Sequence, residues 1–162
     1  MEGTSGEDQI MLSTPNGQAI RFSEKDVRPM GRNASGVAGM RIKKDDELIS
    51  MDIIRKEADI KNLEVLVVTE NGLGKKSKIA DYKIQRRAGS GVKTLKVTPK
   101  TGKIVAMYIL DPTIEHDLVV ISKMGQTIRT PLNSVSTLGR ATQGVRVMRL
   151  DAGDKVASAT II

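Results

Sequence analysis

The sequence predicts an all-β, propeller-like protein made of three repeats of four short strands each. The main observation is a pair of glycines nineteen residues apart, which occurs three times: Gly17 and Gly36, Gly72 and Gly91, and Gly125 and Gly144. The first glycines of successive pairs are 55 and 53 residues apart. A short apolar run typical of a β-strand precedes each pair. Regular self-similarity at this period indicates a repeat architecture.

Each repeat opens with a predicted β-hairpin. Its first strand is an apolar run, at residues 10–12, 65–68 and 118–121. The turn is at Asn16-Gly17, Asn71-Gly72 and Met124-Gly125. A tight hairpin turn requires a positive φ, which Gly and Asn adopt most readily. The second strand is predicted at about 18–23, 75–79 and 127–130.

The second glycine of each pair starts a third strand, predicted at 37–42, 92–97 and 145–150. A fourth strand is predicted at about 48–54, 103–110 and 155–162. We therefore expect one repeat domain over residues 1–162, with blades at 8–54, 63–110 and 117–162. The charged stretches 55–62 and 111–116 are predicted linkers, with a brief helical turn near 54–61.

Three repeats are at the lower limit for such an array, because each unit buries its faces only against its neighbours. We therefore expect the three blades to belong to a larger ring or to self-associate with a second copy.

Composition narrows the functional classes. The chain has 162 residues, 39% of them hydrophobic, and no apolar stretch long enough for a membrane span. The segment from Met1 to Asp8 is small, polar and acidic, unlike a secretory signal, and there is no Cys. We expect a cytoplasmic protein without disulfides, thiolate metal sites or membrane partners. The net charge of +7 favours a polyanionic partner.

Basic residues occupy equivalent positions in all three repeats. They stand four residues after the first glycine (Arg21, Lys76, Arg129), fifteen residues after it (Arg32, Arg87, Arg140) and five residues after the second glycine (Arg41, Lys96, Arg149). Equivalent positions of radial blades lie at equivalent places on the rim, so a repeated cation forms a curved positive band. Such a band suits the backbone of a bent DNA duplex. We include the adjacent Lys75 and Arg86 in the predicted DNA-binding set.

Two other interpretations of this charge stay open. Repeats of common origin share a solvated face by inheritance, and a protein-interaction propeller could use a basic rim for solubility or for an acidic partner. The three aromatic residues are too few for the stacking platforms that bind single strands or unpaired RNA bases. Duplex DNA therefore remains the favoured partner.

Three segments resemble the blades of the DNA-wrapping C-terminal domain of DNA gyrase A. Met30-Gly31-Arg32 with Gly36-Val37 resembles the Met-Gly-x-x-x-x-Gly-Val region, and residues 139–145 (GRATQGV) resemble the same region of the last blade. Residues 85–91 (QRRAGSG) resemble the gyrase box, Gln-Arg-Arg-Gly-Gly-Lys-Gly, at five of seven positions. The related topoisomerase IV domain, which lacks a good box, is the nearest alternative. The similarity extends from Ser5 to the end of the chain.

The resemblance implies a β-pinwheel whose blades exchange strands and whose basic rim binds and bends duplex DNA. It implies an accessory role in a type II topoisomerase, beside the remainder of the gyrase A polypeptide and the ATPase polypeptide of gyrase, near the chromosome. Ala88 and Ser90 replace a Gly and a Lys of the box. Arg86 and Arg87 therefore carry over as phosphate contacts, whereas a functional box does not.

No residue of the chain is a candidate catalyst. The resemblance implies a catalytic tyrosine in a different domain, and we interpret Tyr82 as loop packing and Tyr108 as core. His116 is the only His and has no partner ligand in its linker, and 45–47 (DDE) is an acidic turn, a hairpin tip or a weak cation site. The Gly-rich loops lack a Walker pattern, so no cofactor is expected.

Overall fold

The computed structural model describes residues 3–162, so Met1 and Glu2 lie outside the described residues. This part of the chain contains eleven strands in three antiparallel sheets. The strands are β1 (Gln9–Ser13), β2 (Gln18–Ser23), β3 (Ser50–Ile54), β4 (Glu64–Thr69), β5 (Leu73–Lys78), β6 (Val92–Lys93), β7 (Ile104–Leu110), β8 (Asp117–Ser122), β9 (Thr127–Pro131), β10 (Val145–Arg146) and β11 (Val156–Ile161). The predicted all-β fold is confirmed.

Each repeat contributes a hairpin and one further strand to its own sheet. In the first repeat, β1 pairs with β2 on one side and with β3 on the other. The same arrangement joins β4 to β5 and β7, and β8 to β9 and β11. The predicted positive φ is present at all three hairpin glycines, Gly17, Gly72 and Gly125.

The third strand of a repeat joins the sheet of the preceding repeat. The strand β6 of the second repeat pairs with β2, and β10 of the third repeat pairs with β5. The sheet orders are therefore β3-β1-β2-β6, β10-β5-β4-β7 and β11-β8-β9. We use the word joint for each of these two contacts between successive repeats. The strand exchange that the family resemblance implies is thus present.

The predicted third strands are wrong in length. The segments 92–97 and 145–150 form strands of only two residues, and 37–42 forms no strand apart from a single bridge between Met40 and Gly89. The physical reason is the exchange itself: a third strand needs the free edge of a preceding sheet. Among residues 3–162, nothing precedes the first repeat to offer one.

Three short 3-10 turns follow the second strands, at Glu24–Asp26, Ile79–Asp81 and Leu132–Ser134. They were not predicted. The helical turn predicted near 54–61 is wrong, because that linker forms isolated turns closed by the bonds Ala58 N to Arg55 O (3.1 Å) and Asn62 N to Asp59 O (2.9 Å).

Two of the three core clusters among residues 3–162 lie between the repeats, and the third and smallest lies within the first repeat. One cluster packs Met11 and Ala19 of the first repeat against Val65, Ile79 and other residues of the second. A second cluster joins the second and third repeats in the same way, through Leu66, Val120 and their neighbours. Each fully buried large apolar side chain contributes about 1.5–3 kcal/mol. The joints therefore carry much of the stability.

Glycines allow the backbones to meet closely at the joints. A Cβ on Gly17 would lie 2.6 Å from the carbonyl oxygen of Leu95, and one on Gly91 would lie 2.4 Å from that of Ala19. The second joint repeats these contacts, since Gly72 faces the carbonyl of Met148 and Gly144 that of Gly74. In the second repeat, the two glycines nineteen residues apart, Gly72 and Gly91, therefore serve two different joints.

Candidate nucleic-acid interface

The cations of the first basic column (Arg21, Lys76 and Arg129) are each bonded to a polar or acidic residue at the start of the same hairpin. These partner residues were not identified from the sequence. In each repeat, the cation four residues after the first glycine bonds to the residue eight positions before that glycine. The bonds join Arg21 to Gln9 (2.6 Å), Lys76 to Glu64 (2.9 Å) and Arg129 to Asp117 (2.6 Å). The cations and their partners face each other across the hairpin. The signal in the sequence was the polar or acidic residue that begins each first strand.

Two members of this column are poor candidates for phosphate contact. Arg21 is 7% exposed, and its guanidinium donates to the carbonyl oxygens of Ile79 and Tyr82 at 3.2 Å each. Burial lowers the pKa of Arg21. The side chain of Lys76 is 11% exposed in its ion pair with Glu64. Arg21 fastens the first blade to the second, Lys76 is paired within its own hairpin, and only Arg129 in this column is exposed.

Lys75 is fully buried and does not face solvent. Its ammonium donates to the carbonyl oxygens of Gly139 (2.7 Å) and Arg140 (2.5 Å) and to Oγ1 of Thr142 (3.2 Å). Burial, with a smaller contribution from the charge of Arg140, lowers the pKa of Lys75 to about 8. Its place in the predicted DNA-binding set is therefore corrected: Lys75 positions the loop 139–142 of the next repeat.

In the loop column, Arg87 and Arg140 are half exposed and bond across the joints, whereas Arg32 is exposed. The Arg87 guanidinium donates to the carbonyl oxygens of Asp26 (2.9 Å) and Ala38 (3.1 Å) in the first repeat. The Arg140 guanidinium donates to the carbonyl oxygen of Lys93 in the second. Ala38 and Lys93 are equivalent, each two residues after a second glycine. Arg87 and Arg140 therefore fasten their loops to the preceding repeat while their side chains stay half exposed.

Of the three basic columns, the third is the most accessible to a bound ligand. Arg41, Lys96 and Arg149 are exposed, and none has an ion pair or side-chain hydrogen bond within the described part of the chain. Exposed cations without an acidic partner keep their full charge for a ligand.

Backbone bonds place this column beside the loop column of the next repeat. The Arg41 amide donates to the carbonyl oxygen of Gly89 (2.8 Å), and the Lys96 amide donates to that of Thr142 (3.2 Å). Two cationic clusters result, one at each joint: the first contains Arg41, Arg86 and Arg87, and the second contains Lys96 and Arg140. Arg86 is exposed and, with Arg87 and Asp26, lines a shallow pocket of about 290 Å³.

The tyrosine hydroxyls and the Asp46 carboxylate make hydrogen bonds within the fold. Tyr82 is buried, and its hydroxyl lies 2.5 Å from Oγ1 of Thr94. Burial raises the pKa of Tyr82 to about 12, which opposes the ionisation that a nucleophile requires. The Tyr108 hydroxyl donates to the carbonyl oxygen of Ala159 at 2.7 Å. The Asp46 carboxylate accepts from the amides of Asn16 (3.4 Å) and Glu47 (3.1 Å), as in a capped turn.

Residues 3–162 contain neither a cluster of metal-ligating side chains nor a helix that could span a membrane. No group of three or more His, Cys, Asp or Glu side chains in this range is placed to hold a metal ion. No helix in it has the length and apolar character needed to cross a bilayer.

A family model described as "DNA gyrase C-terminal domain, beta-propeller" matches residues 8–55, 63–111 and 116–162. The DNA gyrase A protein of Staphylococcus epidermidis (strain ATCC 12228) is 40% identical over 155 residues, which cover 96% of this chain and 17% of that protein. The DNA gyrase A protein of Staphylococcus aureus (strain MRSA252) is 40% identical over 147 residues, or 91% of this chain and 16% of that protein. The chain therefore spans about a sixth of these curated relatives.

Two solved structures share the fold. A DNA gyrase A C-terminal domain superposes with a TM-score of 0.82 at 25% identity, over 96% of this chain and 51% of that one. The C-terminal domain of DNA topoisomerase IV superposes with a TM-score of 0.85 at 23% identity, over 97% of this chain and 47% of that one. At that identity the second likeness concerns the fold alone. The predicted resemblance is confirmed.

Proposed function

This chain belongs to the DNA gyrase C-terminal domain family, and we propose that it binds duplex DNA through the phosphate backbone and bends it around its rim. The observation that carries the proposal is the pair of exposed cationic clusters at equivalent positions of the two joints. Because the joints are related by one repeat, the clusters follow the curvature of the array. A duplex that follows this band over its length would bend with the array.

The proposed contact set differs from the predicted one. We retain eight exposed or half-exposed cations and remove the three that are engaged inside the fold, namely Arg21, Lys75 and Lys76. The retained residues are Arg32, Arg41, Arg86, Arg87, Lys96, Arg129, Arg140 and Arg149. Of these, the five in the two clusters are the proposed direct phosphate contacts, and Arg32, Arg129 and Arg149 flank them. Phosphate contacts of this kind carry no base information, so binding is independent of sequence.

The nature of the partner follows from what the surface lacks. Phe22 and Tyr82 are buried, and Tyr108 is half buried with its hydroxyl bonded to the backbone. The described residues therefore offer no exposed aromatic ring on which unpaired bases could stack. The surface matches duplex DNA better than single strands.

We assign the chain an accessory, non-catalytic role in a type II topoisomerase, and we place it in the cytoplasm in association with the chromosome. Its protein partners would be the remainder of the gyrase A polypeptide and the ATPase polypeptide of gyrase. Ala88, at a glycine position of the box, has a φ of +63°, a conformation that costs a non-glycine residue about 1–2 kcal/mol. Together with Ser90, which supplies no charge, this departure weakens the box. We therefore expect the chain to bend DNA without the tight wrapping that a complete box supports.

A salt titration tests the proposal. The five cations of the two clusters predict a slope of log K against log salt of about −4.5, or about 500-fold weaker binding between 50 and 200 mM salt. Random duplexes of one length should bind alike and more tightly than single strands. A protein-interaction propeller would instead bind an acidic polypeptide as tightly as the duplex. That result, or a strong preference for one base sequence, would contradict the proposal.

A further inference from the structure

The two ends of the array carry the two halves of a third joint. At the internal joints, a first glycine (Gly17 or Gly72) meets the third segment of the next repeat, and a second glycine (Gly91 or Gly144) meets the second strand of the preceding one. The remaining two glycines of the pattern are Gly36 and Gly125. Both have a positive φ, +83° and +89°, yet a Cβ on either would meet nothing within 4 Å.

The C-terminal end of the array, here called the tail, also presents an unpaired strand edge. In the described chain β9 pairs only with β8, whereas its equivalents β2 and β5 accept a strand on their second edge. Apolar side chains are exposed at the same end of the array. Ile121 is 40% exposed, but its equivalent Val68 is fully buried at the second joint. Such an edge is a template for an added strand.

The N-terminal end of the array, here called the head, presents the segment that would pair with this edge. Residues 36–42 begin with Gly-Val, as do the two segments that form β6 and β10. Ile42 is 40% exposed, while its equivalents Val97 and Leu150 pack against the core clusters. Arg32 has no side-chain hydrogen bond within residues 3–162, although its equivalents Arg87 and Arg140 fasten the joints.

We propose that a second copy of this chain docks head to tail, so that residues 36–42 of one copy pair with the free edge of β9 of the other. By equivalence with the pair Ala19 and Val92 at the first joint, Val37 faces Thr127 across the new joint. Gly36 and Gly125 then lie against the partner's backbone, as their equivalents do at the internal joints. A second copy fits this edge because the chain itself supplies a segment with the residues of its own internal joints.

The new joint also completes a cationic cluster, a consequence that rests on the proposed function. Arg41 meets the loop of Arg87 at the first joint, and Lys96 meets that of Arg140 at the second. Arg149 of one copy would meet the loop that carries Arg32 of the other. Association would therefore extend the basic band without interruption, because each copy brings half of the new cluster.

Sedimentation velocity over a concentration series tests the association without DNA. The wild-type chain, with a monomer mass of 17.6 kDa, should reach at least twice that mass. Gly36→Asn and Gly125→Asn should each weaken association at least tenfold, since Asn tolerates a positive φ but its side chain occupies the joint. Gly153→Asn is the matched control, because Gly153 has a φ of +80° in open space outside the joints. An equimolar mixture of the two joint variants keeps one intact head and one intact tail and should form a heterodimer.

A disulfide cross-link between two copies tests the proposed pairing of residues 36–42 with β9. Because the chain contains no Cys, Val37→Cys and Thr127→Cys supply the only thiols. Mixed and oxidised, these two variants should form a disulfide-linked dimer, and either variant alone should form little. A wild-type chain that remains monomeric at its highest soluble concentration would overturn the proposal. Equal association of the Gly36, Gly125 and Gly153 variants would overturn it as well, since the copies would then meet through another surface.

Discussion

Removing the two third-column cations that lie at the joints should weaken DNA binding without affecting the fold. Arg41 and Lys96 are exposed and have no side-chain partner within residues 3–162, so the double variant Arg41→Gln/Lys96→Gln should change the free energy of unfolding by less than about 0.5 kcal/mol. Two of five phosphate contacts are lost. The slope of log K against log salt should therefore fall in magnitude by about 1.8, from about 4.5 to about 2.7.

The loss of affinity follows from the same change in slope. If the salt-independent part of binding is unchanged, a slope difference of 1.8 corresponds to about 60-fold weaker binding at 100 mM salt. Fluorescence anisotropy with a labelled random duplex measures both quantities. The matched control is Lys100→Gln/Lys123→Gln, which removes two exposed lysines outside the clusters and lowers the net charge equally. Equal losses in the two double variants would refute the reasoning, since the charge would then act as a diffuse field.

Further predictions concern the joints and the box. The folded-state pKa of Lys75 is about 8, below its ordinary value of 10.5, so between these values the unfolded chain binds more protons and stability rises with pH. Urea unfolding at pH 7.5 and 9.5 should show this rise, at most about 1.4 kcal/mol per pH unit, in the wild type but not in Lys75→Met; equal pH dependence would contradict it. Gly91→Ala should cost more than about 2 kcal/mol in thermal unfolding because its Cβ would strike a carbonyl of the first repeat, whereas Gly153→Ala, in open space, should cost only backbone strain. Ala88→Gly should raise the free energy of unfolding by about 1 kcal/mol by relieving a positive φ, and no gain would mean the φ is not strained. Adding Ser90→Lys should steepen the salt slope by about 0.9, and an unchanged slope would show that this position does not meet the phosphates.

The parts of the fold that depend on local chemistry were predictable from the sequence. The Asn16-Gly17 and Asn71-Gly72 turns follow from the positive φ that a hairpin requires, and the flanking strands follow from their apolar composition. The strand exchange was not visible in composition, because a third strand at 92–97 has the same residues whichever sheet it joins. Its true length of two residues depends on the edge that the preceding repeat offers.

The candidate site was predictable in part for a similar reason. The columns of repeated cations were visible, but their availability depends on partners that are distant in sequence. Arg87 bonds to Ala38, 49 residues away, and Lys75 bonds to Gly139, 64 residues away. Lys76 and Glu64 are nearer, but they meet only because β4 and β5 pair. Reading the polar or acidic residue at the start of each first strand together with the cation of the second would have shown that the cations of the first column are paired across their hairpins.

The most direct measurement of the central claim is the end-to-end distance of a short duplex bound to the chain. A duplex of about 20 base pairs, roughly 68 Å long at 3.4 Å per base pair, is stiff on its own, since its length is well below the persistence length of about 150 base pairs. With a donor and an acceptor dye at its ends, energy transfer should rise when saturating wild-type chain is added. At equal occupancy, the rise in energy transfer should be smaller with Arg41→Gln/Lys96→Gln than with the wild type. With Lys100→Gln/Lys123→Gln it should equal the wild-type rise. Saturated binding with no increase in energy transfer would mean that the cationic clusters hold a straight duplex, and the account would be wrong.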